Sequence, residues 1–211
     1  MIARHRRAHS VAPRLLDGIR AVRRSTDTVV VYLHWGAEGQ VCPTPRQREL
    51  ADALGDKMTL GAGTVLDPET ARACILAGAQ FLVTPALKVA TIEVAHRYSK
   101  IICPGSLTPT EVLTAWEAGA DFVKVFPCSN MGGAKYIKAL KGPFPQIEMI
   151  PTGGVNLDTA ADFLKAGSAA VAVGSELIDA QTIKEGKYEV FEERARQFLA
   201  VVSKARAELS K

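Results

Sequence analysis

The chain lacks any apolar run approaching the ~20 residues that cross a bilayer, and its start carries no signal-peptide pattern. A cytoplasmic protein without membrane contact is the expectation. Cysteine is scarce: Cys42, Cys74, Cys103 and Cys128 are scattered without metal-type spacing, so reduced thiols are expected rather than a disulfide frame or a metal centre. Aromatic residues make up only 6% of the chain, and none interleave its one basic stretch. That stretch is the N-terminus, where arginines 4, 6, 7, 14, 20, 23 and 24 face Asp17 as the sole acidic residue. The formal charge of the whole chain is +4, so most of the positive charge is concentrated there. Without stacking residues or a recognition motif, this reads as a solvated N-terminal segment and not as a nucleic-acid surface.

What is present is a repeated pattern. The 211 residues suit one small α/β barrel domain and can bury a sizeable core. From residue 58 onward, short apolar strands recur at about 20-residue intervals, as βα units require. They are Met58–Gly63, Gln80–Thr84, Lys100–Cys103, Asp121–Phe126, Glu148–Thr152 and Ala169–Gly174. Asp67-Pro68 and Thr108-Pro109 each place an N-cap before a first-turn proline, and Glu111 completes a capping box with Thr108. Ala77-Gly78, Ala118-Gly119 and Ala166-Gly167 supply the glycine that closes a helix in the left-handed region. The repeated Ala-Gly-Ala-x-Phe at 77–81 and 118–122 is one helix-to-strand turn used twice. The predicted fold is a TIM-type (β/α)8 parallel barrel, with residues 1–211 as one domain. Seven strands are legible from Val29 onward and none in the first 28 residues, so the first βα unit is expected to be atypical or incomplete.

Lys124 stands out in Phe122-Val123-Lys124-Val125-Phe126-Pro127, an apolar strand. Burial disfavours the ammonium form and yields a neutral amine able to attack a carbonyl. The alternative is a lysine that snorkels to water from the strand end. The strand ends around it are small, hydroxylated and glycine-rich: Gly61-Ala62-Gly63-Thr64, Thr84-Pro85, Cys103-Pro104-Gly105, Thr152-Gly153-Gly154 and Gly174-Ser175. In barrels the C-terminal strand ends carry the chemistry, and glycines after the last two strands let backbone N–H groups approach a phosphate.

These motifs, together with Lys-Gly-Pro-Phe-Pro at 141–145 and Val-Gly-Ser at 173–175, resemble the class I aldolase family that includes 2-keto-3-deoxy-6-phosphogluconate aldolase and 4-hydroxy-2-oxoglutarate aldolase. The likeness covers residues 55–211. It implies that Lys124 forms a Schiff base with a 2-keto acid and that Thr64, Pro85, Phe126 and Thr152 shape the pyruvoyl pocket. Gly153, Gly154, Gly174 and Ser175 would receive a substrate phosphate. The implied reaction is reversible cleavage of a 2-keto-4-hydroxy acid to pyruvate and an aldehyde, without metal or cofactor, in a homotrimer.

Residues 1–54 depart from that pattern. The family's second strand carries a glutamate proton shuttle followed by Thr-x-Arg, whereas Val29–Trp35 has neither acid nor arginine. Residues 13–54 instead resemble capsule-biosynthesis (poly-γ-glutamate synthesis) proteins, through Leu15–Ile19, His34-Trp35-Gly36 and Cys42–Ala51. This suggests a chimera whose N-terminal part is a helix–strand–helix segment. His34 and Glu38 are then the candidate substitute bases, against a local structural role for each. Weak activity with a silent His34 is expected. The reading from a different class is a chimeric or engineered barrel scaffold without significant catalysis.

Overall fold

The structure is a computed structural model and describes residues 30–33 as backbone, 59–187 and 189–209. The predicted helices within residues 15–22 and 44–55 lie outside the described residues, as does any first strand. In chain order the elements are β1 (Val30–Leu33), β2 (Thr59–Gly63), α1 (Pro68–Leu76), β3 (Phe81–Val83), α2 (Val89–Arg97), β4 (Ile101–Cys103), β5 (Gly105–Ser106) and α3 (Pro109–Glu117). Then come β6 (Val123–Val125), a 3-10 turn (Ser129–Met131), α4 (Ala134–Lys141), β7 (Met149–Pro151), α5 (Ala160–Lys165), α6 (Ala180–Glu185) and α7 (Glu189–Leu209).

All pairings are parallel and follow chain order, β1-β2-β3-β4 and β5-β6-β7. β4 and β5 are one strand interrupted at Pro104. Its first half pairs with β3 and its second half with β6, and the Pro104 carbonyl accepts from Lys124 N at 2.9 Å. Parallel strands in sequential order need crossover connections, which right-handedness places on one face of the sheet; among the described residues α1, α2, α3 and α4 are those connections. The fold is α/β with parallel strands.

The cap chemistry explains where the helices start. Asp67 accepts from Thr70 N at 2.6 Å, and Thr108 forms the full capping box with Glu111. Gly78, Gly119 and Gly167 follow three helices with φ of +103°, +93° and +98°. From residue 58 onward each predicted strand is trimmed at one end or both, and Ala169–Gly174 forms no continuous strand among the described residues: it joins β7 through Ala169 N to the Met149 carbonyl at 3.0 Å and the Thr152–Ala172 bridge. The Gly174 carbonyl accepts from Leu177 N at 2.9 Å and Ile178 N at 3.1 Å, which closes a turn.

Alternation sorts the strand residues between two faces. Leu82, Ile102, Val123 and Val125 are buried against Ala71, Ile75, Ile92, Ala95, Val112 and Ala115 of the helices. Their neighbours face the other way. The register places Gly61 with Phe81, Gly63 with Val83, Val83 with Cys103, and Lys124 with both Gly105 and Ile150. The inner face around Lys124 thus consists of glycine, valine, isoleucine, phenylalanine and cysteine. Gly61 is required there, because a Cβ would lie 2.2 Å from the Phe81 ring. Gly61→Ala is expected to destabilise the fold by about 1–3 kcal/mol through overpacking, seen as a lower midpoint in urea. Adding Phe81→Leu should recover most of that loss, whereas a Gly61→Ala midpoint equal to the parent's would contradict the packing.

Candidate active site

The candidate site grows from β6. Val123 and Val125 are buried outward, and this fixes Lys124 inward with its side chain half-buried. Its Nζ sits 4.6 Å from the centroid of the Phe126 ring. Burial holds the amine below the ordinary lysine range, opposed by the nearby Cys103 sulfur. Cys103 offers little charge, because burial, with Asp121 adding to it, pushes its thiol up to about 12. Among the described residues no carboxylate forms an ion pair with Lys124. The face of Phe126 attracts an ammonium by up to about 2 kcal/mol when desolvated, which works against the lowering by burial.

The strands on either side bring most of the predicted residues to this amine. Thr152 follows β7; its N–H donates to the Val125 carbonyl at 2.9 Å, and two-residue alternation from Ile150 turns it to the same face as Lys124. Its hydroxyl is buried and has no hydrogen-bond partner among the described residues. An unsatisfied buried hydroxyl costs about 1–3 kcal/mol, which a polar ligand group would recover. Gly153 and Gly154 come next, with φ of +90° and +74°. A Cβ on Gly153 would lie 3.9 Å from Phe126 Cδ2, and one on Gly154 would meet Ser129 Cβ at 2.4 Å. The two glycines therefore lie alongside the segment that follows Lys124.

Pro85 is half-buried on the opposite flank. Thr84 fixes it: its hydroxyl donates to the Ala86 carbonyl at 2.6 Å and accepts from Gly105 N at 3.0 Å. Gly105 has no room for a side chain, since a Cβ would lie 2.3 Å from the Pro85 carbonyl carbon. Thr64 is exposed at the end of β2 with a φ of +55°. Gly174 and Ser175 are exposed just beyond the Ala172 bridge to Thr152. Lys124, Phe126, Thr152, Gly153 and Gly154 thus form one continuous group. Pro85 joins it through Gly105, and Thr64, Gly174 and Ser175 stand at neighbouring strand ends. His34 and Glu38 lie outside the described residues. Among the described residues no three His, Cys, Asp or Glu side chains converge as a metal site.

Sequence reasoning placed Thr84 and Cys103 at strand ends without giving them a role, and it missed Ser129 against Gly154. Only the register between β3, β4 and β6 shows that Thr84 braces Pro85 and that Cys103 shares a face with Lys124.

Comparison with known proteins follows this geometry. The sequence model of the family described as KDPG and KHG aldolase matches residues 49–193. A second, described as Bacterial capsule synthesis protein PGA_cap, matches residues 2–66. The 2-dehydro-3-deoxy-6-phosphogalactonate aldolase of Escherichia coli (strain K12) is 44% identical over 129 residues, which are 61% of this chain and 62% of that protein. The match therefore spans about six-tenths of that relative's length. A solved structure described as native KDPGal aligns over 94% of this chain and 91% of its own, at 33% identity and a TM-score of 0.78. The KDPG aldolase of Legionella pneumophila, solved with pyruvate captured as a covalent carbinolamine, aligns over 91% and 88% at 25% identity and a TM-score of 0.73.

The lowered Lys124 pKa has a stability consequence. A lysine whose pKa is depressed by folding binds fewer protons in the native than in the unfolded state, so its penalty is present at neutral pH and fades as pH rises towards ~10.4. Lys124→Met should therefore be more stable than the parent at pH 7, with the gap closing between pH 7 and 10. A gap that is independent of pH in urea unfolding would contradict a desolvated amine.

Proposed function

Because the chain belongs to the KDPG and KHG aldolase family, we propose that it is a class I aldolase acting on 2-keto-4-hydroxy acids through an imine on Lys124. The observation that carries this reading is the half-buried amine with a depressed pKa, unpaired by carboxylate among the described residues and set beside a buried, unpartnered hydroxyl. The neutral Nζ adds to the keto carbon of the substrate; the carbinolamine hydroxyl takes up a proton and leaves as water, giving an iminium. A base then takes the proton of the C4 hydroxyl, the C3–C4 bond breaks, and its electrons pass into the iminium to give an enamine and a free aldehyde. Protonation at C3 and hydrolysis return pyruvate and the amine. The iminium keeps the positive charge of the ammonium, so the Phe126 ring face that attracts one also stabilises the other.

The family likeness suggests roles for the remaining residues. Thr152 Oγ1 and Thr64 hydrogen-bond the pyruvoyl carboxylate and carbonyl, while Pro85 and Phe126 form the apolar walls. Gly153 and Gly154, with Gly174 and Ser175, accept the phosphate of a phosphorylated substrate through backbone N–H groups and the serine hydroxyl. A 2-keto-3-deoxy-6-phospho sugar acid is the substrate class this arrangement fits, the gluconate and galactonate epimers differing at C4, the carbon that bears the reacting hydroxyl. No cofactor enters the scheme.

The same reading extends to architecture. We assign residues 1–211 to one (β/α)8 barrel with an atypical first unit, assembled as a homotrimer in the cytoplasm. Among the described residues no helix is long and apolar enough to cross a membrane. The two family matches overlap only at residues 49–66, which supports a chimera joined near residue 55. The lack of an acid and an arginine at residues 29–35 favours the second reading, a barrel scaffold without significant catalysis.

Borohydride reduction with pyruvate separates the two readings. One adduct at Lys124, absent in Lys124→Ala, is expected in mass spectra; no adduct, or one elsewhere, would exclude the aldolase assignment. Turnover tests the missing shuttle. Cleavage is expected to run about 10²–10⁴-fold below that of an intact relative, the contribution of one positioned acid/base group, and to be unchanged in His34→Ala and Glu38→Ala. A large loss in either variant would identify it as a substitute base instead.

A further inference from the structure

The residues that follow the Thr152–Ala172 bridge hang between two fixed points. At one end Ala172 N donates to the Pro151 carbonyl at 3.1 Å. At the other, a single guanidinium gathers the chain. Arg194 on α7 donates from Nη1 to the Leu177 carbonyl at 3.3 Å and to Asp179 Oδ2 at 2.7 Å. The same Asp179 carboxylate caps α6, accepting from Thr182 N at 2.8 Å and from Thr182 Oγ1 at 2.7 Å. These hydrogen bonds, with Thr182 and Arg194 as donors, hold its carboxyl well below the usual range. Leu177 packs on the core beside Phe198 of α7, and its N–H returns to the Gly174 carbonyl at 2.9 Å. Gly174, Ser175 and Glu176 are therefore the exposed residues of a short arch pinned at Ala172 and at Leu177–Asp179. Among the described residues a Cβ on Gly174 would find no atom within 4 Å, and the contacts that hold the arch lie at its two ends.

We propose that Arg194 is a positioning residue for phosphate recognition, clasping the 174–179 arch so that Gly174 and Ser175 stand opposite Gly153 and Gly154. The inference rests on the assignment of those four residues as the phosphate cradle. Arg194 touches no reacting atom, and it lies one residue beyond the stretch matched by the aldolase family model. One guanidinium nitrogen, Nη1, serves both acceptors, the carbonyl and the carboxylate, from the end of a long side chain. Loosening the arch misplaces two of the four cradle residues while leaving β6 and Lys124 untouched. The Lys124 chemistry with pyruvate, which carries no phosphate, is accordingly independent of the clasp.

The test compares two probes on the full-length protein. Inorganic phosphate affinity is measured by 31P NMR titration, and pyruvate capture at Lys124 by borohydride reduction. Arg194→Met is expected to weaken phosphate binding about tenfold or more, in keeping with the cost of a small misplacement, at unchanged pyruvate capture. Arg194→Lys should restore part of the affinity, and Asp179→Asn, which keeps a capping oxygen on α6, should weaken phosphate as Arg194→Met does. If Arg194→Met lowers both probes together through a loss of fold, Arg194→Lys and Asp179→Asn decide the matter. Phosphate binding by Arg194→Met or Asp179→Asn equal to that of the parent, while Ser175→Ala weakens it, would overturn the clasp and leave the cradle standing. A parent protein that does not bind phosphate would overturn both.

Discussion

A desolvated amine on the inner face of a parallel sheet is the constraint on which the rest of this structure depends. An ammonium there is costly, and a neighbouring carboxylate would restore the charge by pairing with it. The sheet avoids both outcomes. Glycines 61, 63 and 105, Val83, Ile150 and the thiol of Cys103 share the face with Lys124, and Cys103 is held neutral by its own burial. The outward valines on either side of the lysine anchor the strand in the helix layer, so the amine cannot escape by a register slip without exposing them. The Phe126 ring beside it attracts a cation, and it acts alike on the ammonium and on an iminium.

Much of the fold was legible because its signals are local. Asp67-Pro68 and Thr108-Pro109-x-Glu111 cap their helices as the residue types require, and the glycines after Ala77, Ala118 and Ala166 take the left-handed backbone they alone adopt readily. Six predicted strand positions appear in order. Ala169–Gly174 forms no continuous strand among the described residues, and composition does not reveal that the Gly174 carbonyl closes a turn there.

The site was legible in type more than in arrangement. A lysine in an apolar strand and paired glycines at strand ends are visible in one dimension. The unpartnered Thr152 hydroxyl, the bracing of Pro85 by Thr84 and the approach of Ser129 to Gly154 depend on pairing register and on turns between distant segments. Arg194 is further still from view. It reaches back 15 and 17 residues to Asp179 and Leu177, and on α7 its sequence context is that of an ordinary amphipathic helix. Residues 29–35 carry neither an acid nor an arginine, and β6 itself holds no second titratable group beside Lys124.

The most direct measurement of the central claim is an NMR titration of the Lys124 amine, with 13C label at the ε-carbon and Lys124→Arg to assign the resonance. The account predicts a midpoint clearly below the ~10.4 of an ordinary lysine, and a shift of that resonance to an imine value when pyruvate is added. Titration at the ordinary position, with no response to pyruvate, would show a solvated lysine and contradict the account.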